Sequence, residues 1–176
     1  MIVREETMSS EIVYNGKIVN LRIDTVELPK QRYSKREIVE HPGGVGIIAL
    51  TEENEVIMVR QFRKPIEDCV LEIPAGKLDN GEDPKKCAIR ELKEETGYEA
   101  ENMEFLLDFY SSPGFTDEKI HIYFATGLKN GKAQPDENEY IEIEKYKIED
   151  LVQMIKDNEI HDAKSIISIL YVDKLL

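Results

Sequence analysis

Glu91, Glu94 and Glu95 lie within about one helical turn of each other in the stretch Arg90-Glu91-Leu92-Lys93-Glu94-Glu95-Thr96. On a helix, residues four apart share a face, about 40° from each other, so Glu91 and Glu95 point the same way with Glu94 on their flank. Like charges at that spacing cost roughly a few tenths of a kcal/mol per pair. Lys93 falls on a different side and Arg90 only borders the cluster, so neither relieves the repulsion. A divalent cation does, and Mg²⁺ prefers carboxylate oxygens together with waters and substrate phosphate. The plainer alternative is a solvated acidic face, and the helix alone leaves both open. Ala88, Ile89, Leu92 and Thr96 occupy the other side, which is suited to burial against a sheet. The turn-rich stretch from Gly76 to Glu82, preceded by Pro74-Ala75, leads straight into the helix. Its exposed carbonyls add oxygen donors, which favours the cation.

The elements that position these residues can be read locally. Asp83-Pro84 is a helix start, with Asp as N-cap and Pro at the first helical position. The helix runs to about Thr96 and stops at Gly97, a natural left-handed cap. The first forty residues alternate apolar and polar positions, as half-buried strands do. Ile12-Val13-Tyr14 and Lys17-Ile18-Val19 flank Asn15-Gly16, which predicts a hairpin with a type I′ turn. Residues 21–28 and 33–41 continue the strand pattern, with Pro29 at the break. Residues 45–50 and 56–62 are β-branched apolar runs separated by Glu53-Asn54, and residues 70–73 form a short strand ending at Pro74. Further strands fall at 103–110, 119–126 and 141–146, with loops at 111–118 and 129–139. Helices near 149–156 and 162–174 close the chain. The pattern predicts a mixed α/β (α+β) fold with a strand-rich N-terminal extension.

Composition narrows the function classes. The 176 residues carry 36 acidic against 23 basic side chains, a formal charge of −13. Such a surface repels nucleic acid backbones, so no nucleic-acid partner is expected. The longest apolar runs are too short to span a bilayer, and the N-terminus carries Arg4 but no apolar stretch of a secretory signal, so no membrane partner is expected. Cys69 and Cys87 have neither CxxC spacing nor nearby histidines. They read as buried apolar residues of a cytoplasmic protein. His41, His121 and His161 are isolated and read as structural.

The pattern Gly76, five residues, Glu82, seven residues, Arg90-Glu91-Leu92-Lys93-Glu94-Glu95-Thr96-Gly97-Tyr98 resembles the Nudix hydrolase box. Every fixed charged and glycine position is present, and Tyr98 stands where an aliphatic residue is usual. The resemblance implies a Nudix-type mixed β-sheet sandwiched between helices over residues 41–176, with residues 1–40 an antiparallel extension. It implies Mg²⁺ or Mn²⁺ bound by Glu91 and Glu95 with Glu94 near the ions. Glu82 and Arg90 would orient loop and helix or form a structural ion pair, and Gly76 and Gly97 would be structural.

Residues outside the box resemble the ADP-ribose pyrophosphatase branch. They are Arg60-Gln61-Phe62-Arg63, Glu72-Ile73-Pro74-Ala75-Gly76, Asp162-Ala163-Lys164, and Ser112 to Glu118, where Pro113 falls sixteen residues after Gly97. This implies hydrolysis of ADP-ribose to AMP and ribose 5-phosphate, or of a broader set of sugar nucleotides or dinucleotides. Metal ions neutralise the diphosphate charge, and positioning with electrostatic stabilisation does the rest. By the same resemblance the Ala75 carbonyl is a metal ligand, and Arg63, Glu72 and Glu118 bind substrate. Glu137 or Glu139, in the acidic loop Asp136-Glu137-Asn138-Glu139, is the general base, and Glu139 is also a candidate metal ligand. The branch commonly forms homodimers through N-terminal strands, with Tyr14 or Tyr33 as candidate stacking platforms. A non-catalytic ADP-ribose binder is expected to lose box carboxylates, and none is missing.

Overall fold

The computed structural model describes residues 3–134 and 140–175. Their contacts cluster into two compact units, Met1–Gly43 with Phe109–Lys119, and Gly44–Asp108 with Ile120–Leu176.

The second unit is built on the apolar runs. Strand β4 (Gly44–Leu50) is buried at every position, so both of its faces must be covered. It pairs antiparallel with β5 (Glu55–Arg63) and β7 (Ala75–Lys77), and parallel with β9 (Lys119–Asn130). β6 (Asp68–Glu72) and β10 (Ile141–Lys147) pair antiparallel with β5, and β8 (Tyr98–Tyr110) lies beyond β9. The mixed sheet thus runs β10-β5-β4-β9-β8, with β6 and β7 off that path.

Helix α1 (Pro84–Thr96) covers one face of β4. Val45, Ile47 and Ala49 form one cluster there with Cys87, Ala88 and Leu92 of the helix and with Ile57, Met103, Tyr123 and Ala125. The opposite parity, Ile48, Leu50, Val56 and Met58, is also buried, and α3 (Ala163–Val172) packs on β4 as well. Each large aliphatic side chain so buried contributes roughly 2 kcal/mol from water exclusion. Helix α2 (Ile148–Lys156) packs on α3 and β10. Among the described residues no helix is long and apolar enough to cross a membrane.

The helix carrying the carboxylates has the boundaries expected of it. Asp83 accepts from the Lys86 amide at 3.1 Å, Pro84 opens the first turn, and Gly97 closes the helix at φ 77°. Ile89 is a correction: it is 48% exposed rather than packed with Ala88 and Leu92. At 100° per residue it lies one step round the helix from Ala88, beyond the edge of the sheet-facing stripe.

The first unit is a three-stranded antiparallel meander of β1 (Glu6–Asn15), β2 (Asn20–Leu28) and β3 (Arg32–Glu40). The type I′ turn expected at Asn15-Gly16 is not there. Asn15 pairs with Asn20, leaving a four-residue connection closed by Gly16 N to Val19 O at 3.0 Å, and neither residue has positive φ. The register slips by one residue between Ile12 and Tyr14. Paired positive φ angles occur instead at Lys30 (67°) and Gln31 (55°), between β2 and β3. All ten residues of β1 are exposed, including Met8, Ile12, Val13 and Tyr14, so this strand is not half-buried within one chain. The 111–118 segment is fastened to the end of β3, with Val39 N donating to Phe115 O at 2.8 Å and His41 N to the Asp117 carboxylate at 2.8 Å.

Two smaller expectations also change. Cys69, on strand β6, is exposed, whereas Cys87 is buried and its thiol is pushed up to about 12 by burial and by the neighbouring Glu82 carboxylate. His41 and His121 are not isolated, since His41 Nδ1 lies 3.4 Å from Glu118 and His121 Nδ1 lies 3.8 Å from Asp108.

Candidate active site

The strand end entering β7 is pinned residue by residue. Ile73 N donates to Ser165 Oγ at 2.8 Å, Pro74 O accepts from Ile47 N at 2.8 Å, and Ala75 N donates to Glu95 Oε2 at 3.0 Å. Gly76 then abuts Glu91 so closely that a Cβ there would lie 1.9 Å from Glu91 Cδ. Ala75, Gly76, Glu91 and Glu95 are therefore brought together, although the two strand residues precede the two helix residues by fifteen or more positions. Glu95 is 5% exposed, which is unusual for a carboxylate and here rests on its backbone partner at Ala75.

Arg90 lies at the centre of the acids, not at their border. Its Nε and Nη2 bind the Glu82 carboxylate at 3.1 and 3.0 Å, while Nη1 reaches Glu91 at 2.7 Å and Glu94 at 2.9 Å. One guanidinium thus offsets three carboxylates, using the donor fork that lysine lacks. The hydrogen bonds from Arg90, joined by the Asp79 amide, hold the Glu82 carboxyl down at about 2, and the same contacts raise Arg90 further. A carboxylate lowered from 4.5 to about 2 adds stability that is complete above the unfolded value and lost as pH falls towards the folded one. The stability gap between wild type and Glu82→Gln is therefore expected to close as pH drops from about 5 to about 2, followed by urea unfolding. A gap unchanged across that window would mean that Glu82 does not act through its charge.

The donors assembled here are all oxygen, carboxylates of Glu91, Glu94 and Glu95 beside the Ala75 backbone, which suits a hard divalent cation in kind. With Glu91 and Glu94 turned to Arg90, no three His, Cys, Asp or Glu side chains among the described residues are grouped to share an ion.

A second cluster lies at the other end of the pinned segment. Glu72, 3% exposed, accepts from Arg63 Nε at 2.6 Å and Nη2 at 2.7 Å, and also from Lys164 Nζ. Lys164 Nζ further binds Asp162 at 2.9 Å. Asp162 caps α3 and accepts from both the amide (2.9 Å) and hydroxyl (2.5 Å) of Ser165. Burial by itself pushes the Glu72 carboxyl up, but the Arg63 and Lys164 cations outweigh it and leave it below the usual value. Glu95 is close enough for its charge to act on Arg63. Spacing gave no signal for Ser165, whose partner Ile73 lies 92 residues earlier.

Glu118 belongs to the first unit, beside His41. Glu137 and Glu139 lie outside the described residues. The segment that leads towards them is anchored on α1: Gln134 N donates to the Glu94 carbonyl at 2.9 Å, and a Cβ on Gly131 would lie 2.7 Å from Gly97 O.

The acid-bearing helix, packed on a mixed sheet with a strand end fixed against its carboxylates, lies within a stretch that matches the NUDIX domain. The chain belongs to that family, whose pattern it matches over residues 40–168. Residues 5–39 match the family described as nucleoside diphosphate sugar hydrolase N-terminal domain. The chain is 49% identical to the methanol dehydrogenase activator of Bacillus methanolicus over 170 residues, covering 96% of this chain and 92% of that protein. It is 45% identical to the ADP-ribose pyrophosphatase of Bacillus subtilis, again over 96% and 92% of the two chains. Its fold superposes on a solved ADP compounds hydrolase with TM-score 0.88 at 21% identity, covering 100% of this chain and 96% of that one.

Proposed function

We propose that this protein hydrolyses the diphosphate linkage of a nucleoside diphosphate sugar, ADP-ribose foremost, releasing AMP and ribose 5-phosphate. The observation that carries this reading is the pinning of Ala75 and Gly76 against Glu91 and Glu95 within a complete box. The name of the 45% identical relative supports the substrate. Glu91, Glu94, Glu95 and the Ala75 carbonyl would hold Mg²⁺, with Mn²⁺ able to replace it. The bound ion supplies charge neutralisation and Lewis acidity at the phosphoryl oxygens. Gly76, Glu82, Arg90 and Gly97 keep the acids in place. Arg63 grips a diphosphate oxygen through its guanidinium, Glu72, buried and engaged through both oxygens, serves the substrate by orienting Arg63, and Glu118 contacts the substrate. Glu137 or Glu139 takes the proton of the attacking water, and Glu139 is also a candidate metal ligand.

The proposed division is an extension over residues 1–40 and a hydrolase domain over 41–176. The uncovered apolar side chains of β1 support a homodimer joined through the extension, with Tyr14 and Tyr33, both 59% exposed, able to stack on a base, and the free thiols of Cys69 and Cys87 support a cytoplasmic setting. The acidic surface supports the absence of nucleic-acid and membrane partners.

A second reading is broader cleavage of sugar nucleotides or dinucleotides, its sugar-nucleotide part supported by the name of a relative, the GDP-mannose pyrophosphatase of Escherichia coli K12, 34% identical over 78% of this chain and 77% of that protein. Product analysis with ADP-ribose, a GDP-sugar, a UDP-sugar and NADH, each with and without Mg²⁺, separates the two. ADP-ribose is expected to give the highest kcat/KM, and chelation to remove all turnover. Full activity after chelation, or ADP-ribose among the poorest substrates, overturns the reading.

A further inference from the structure

Arg63 engages Glu72 through Nε and Nη2, and Nη1 takes no partner among the described residues. Its side chain is 40% exposed, whereas those of Glu72 and Lys164 are 4% and 15% exposed. The guanidinium is thus gripped from behind by a buried carboxylate that is itself gripped by a half-buried ammonium. The three groups come from different elements: Arg63 ends β5, Glu72 ends β6 and Lys164 sits in the first turn of α3. A carboxylate held by only one cation keeps the freedom to rotate with it. Held between two from different elements, it is fixed in plane, and a bidentate arginine is then fixed with it. The ammonium is in turn located by Asp162, which also caps α3 and binds Ser165, whose hydroxyl holds the Ile73 amide.

We propose that Lys164 is a positioning residue for substrate: by holding Glu72 from the α3 side, it sets the direction in which the exposed edge of Arg63 faces a diphosphate. This inference rests on the reading above, in which Arg63 binds the diphosphate. Lys164 does not touch substrate, so it acts through Arg63 alone. Its removal therefore weakens ground-state binding and leaves the chemical step largely intact, and the loss depends on Arg63 being present.

The test is a double-mutant cycle with Lys164→Met and Arg63→Gln, read by calorimetric Kd for ADP-ribose without added metal and by KM and kcat with Mg²⁺. Lys164→Met is expected to raise Kd and KM about tenfold with kcat within about threefold, and to add less than about twofold in the Arg63→Gln background. Lys164→Arg, which keeps the charge, is expected to bring KM back to within about threefold of wild type, and it decides the question if Lys164→Met does not fold. An equal loss in both backgrounds, no loss in either, or a folded Lys164→Arg with the KM of a tenfold-impaired enzyme overturns the proposal. If Arg63→Gln weakens binding and Lys164→Met does not, only the proposal falls. If Arg63→Gln itself leaves Kd and KM unchanged, the substrate role of Arg63 falls and takes the proposal with it.

Discussion

Glu95→Gln is expected to lower kcat about a thousandfold while the melting temperature stays the same or rises. The two halves of that outcome have one cause. Glu95 is almost fully buried, and its Oε2 accepts the Ala75 amide at 3.0 Å. A glutamine carbonyl oxygen can accept the same hydrogen bond, so the strand end stays attached to the helix. What the substitution removes is one negative charge from a helix face that carries three, where repulsion at i,i+4 works against its attraction to Arg63. In the proposed reaction the same charge holds the cation against the diphosphate, so its loss is felt in turnover. The measurement pairs kcat on ADP-ribose in saturating Mg²⁺ with thermal unfolding of the same preparation. A variant that melts well below wild type would make Glu95 a structural residue, and one that turns over at the wild-type rate would remove it from the site.

How much could be read in advance follows from how local the determinants are. Helix α1 falls where Asp83, Pro84 and Gly97 place it, because caps act within four residues of the end they define. The box residues were legible for the same reason, since their spacing is the helix repeat. Arg90 was misjudged because its reach depends on a side-chain path. Its backbone borders the acids, but a long guanidinium arm folds back across Glu91 and Glu94 to Glu82. The reversal after β1 falls beyond Asn15-Gly16 because register is set along the whole length of the paired strands, where Asn15 faces Asn20, and not by the local preference of Asn-Gly. Ser165 and Lys164 gave no geometric signal, because their partners lie 92 residues away and only the packing of α3 on the sheet brings them together.

Gly76→Ala is expected to cut turnover at least a hundredfold and to shift the melting temperature by less than about 4 °C. The backbone does not forbid the change, since Gly76 is not at positive φ. The obstacle is a side chain: the added methyl would stand 1.9 Å from Glu91 Cδ, 2.1 Å from Oε1 and 2.4 Å from Cγ. Those atoms are the far end of a flexible chain, so the protein relieves the clash by swinging Glu91 aside and leaving strand and helix in place. The cost in folding is then the Arg90–Glu91 contact at 2.7 Å, one arm of a guanidinium that keeps Glu82 and Glu94. The cost in function is the displacement of a carboxylate that must stand against the diphosphate. Because the methyl acts only through that carboxylate, Gly76→Ala introduced into Glu91→Ala should cause almost no further loss, a coupling that additive effects cannot mimic. Equal losses from Gly76→Ala in both backgrounds would show that this glycine serves the strand rather than the acid, and an unimpaired single variant would show that the position of Glu91 does not matter to the reaction.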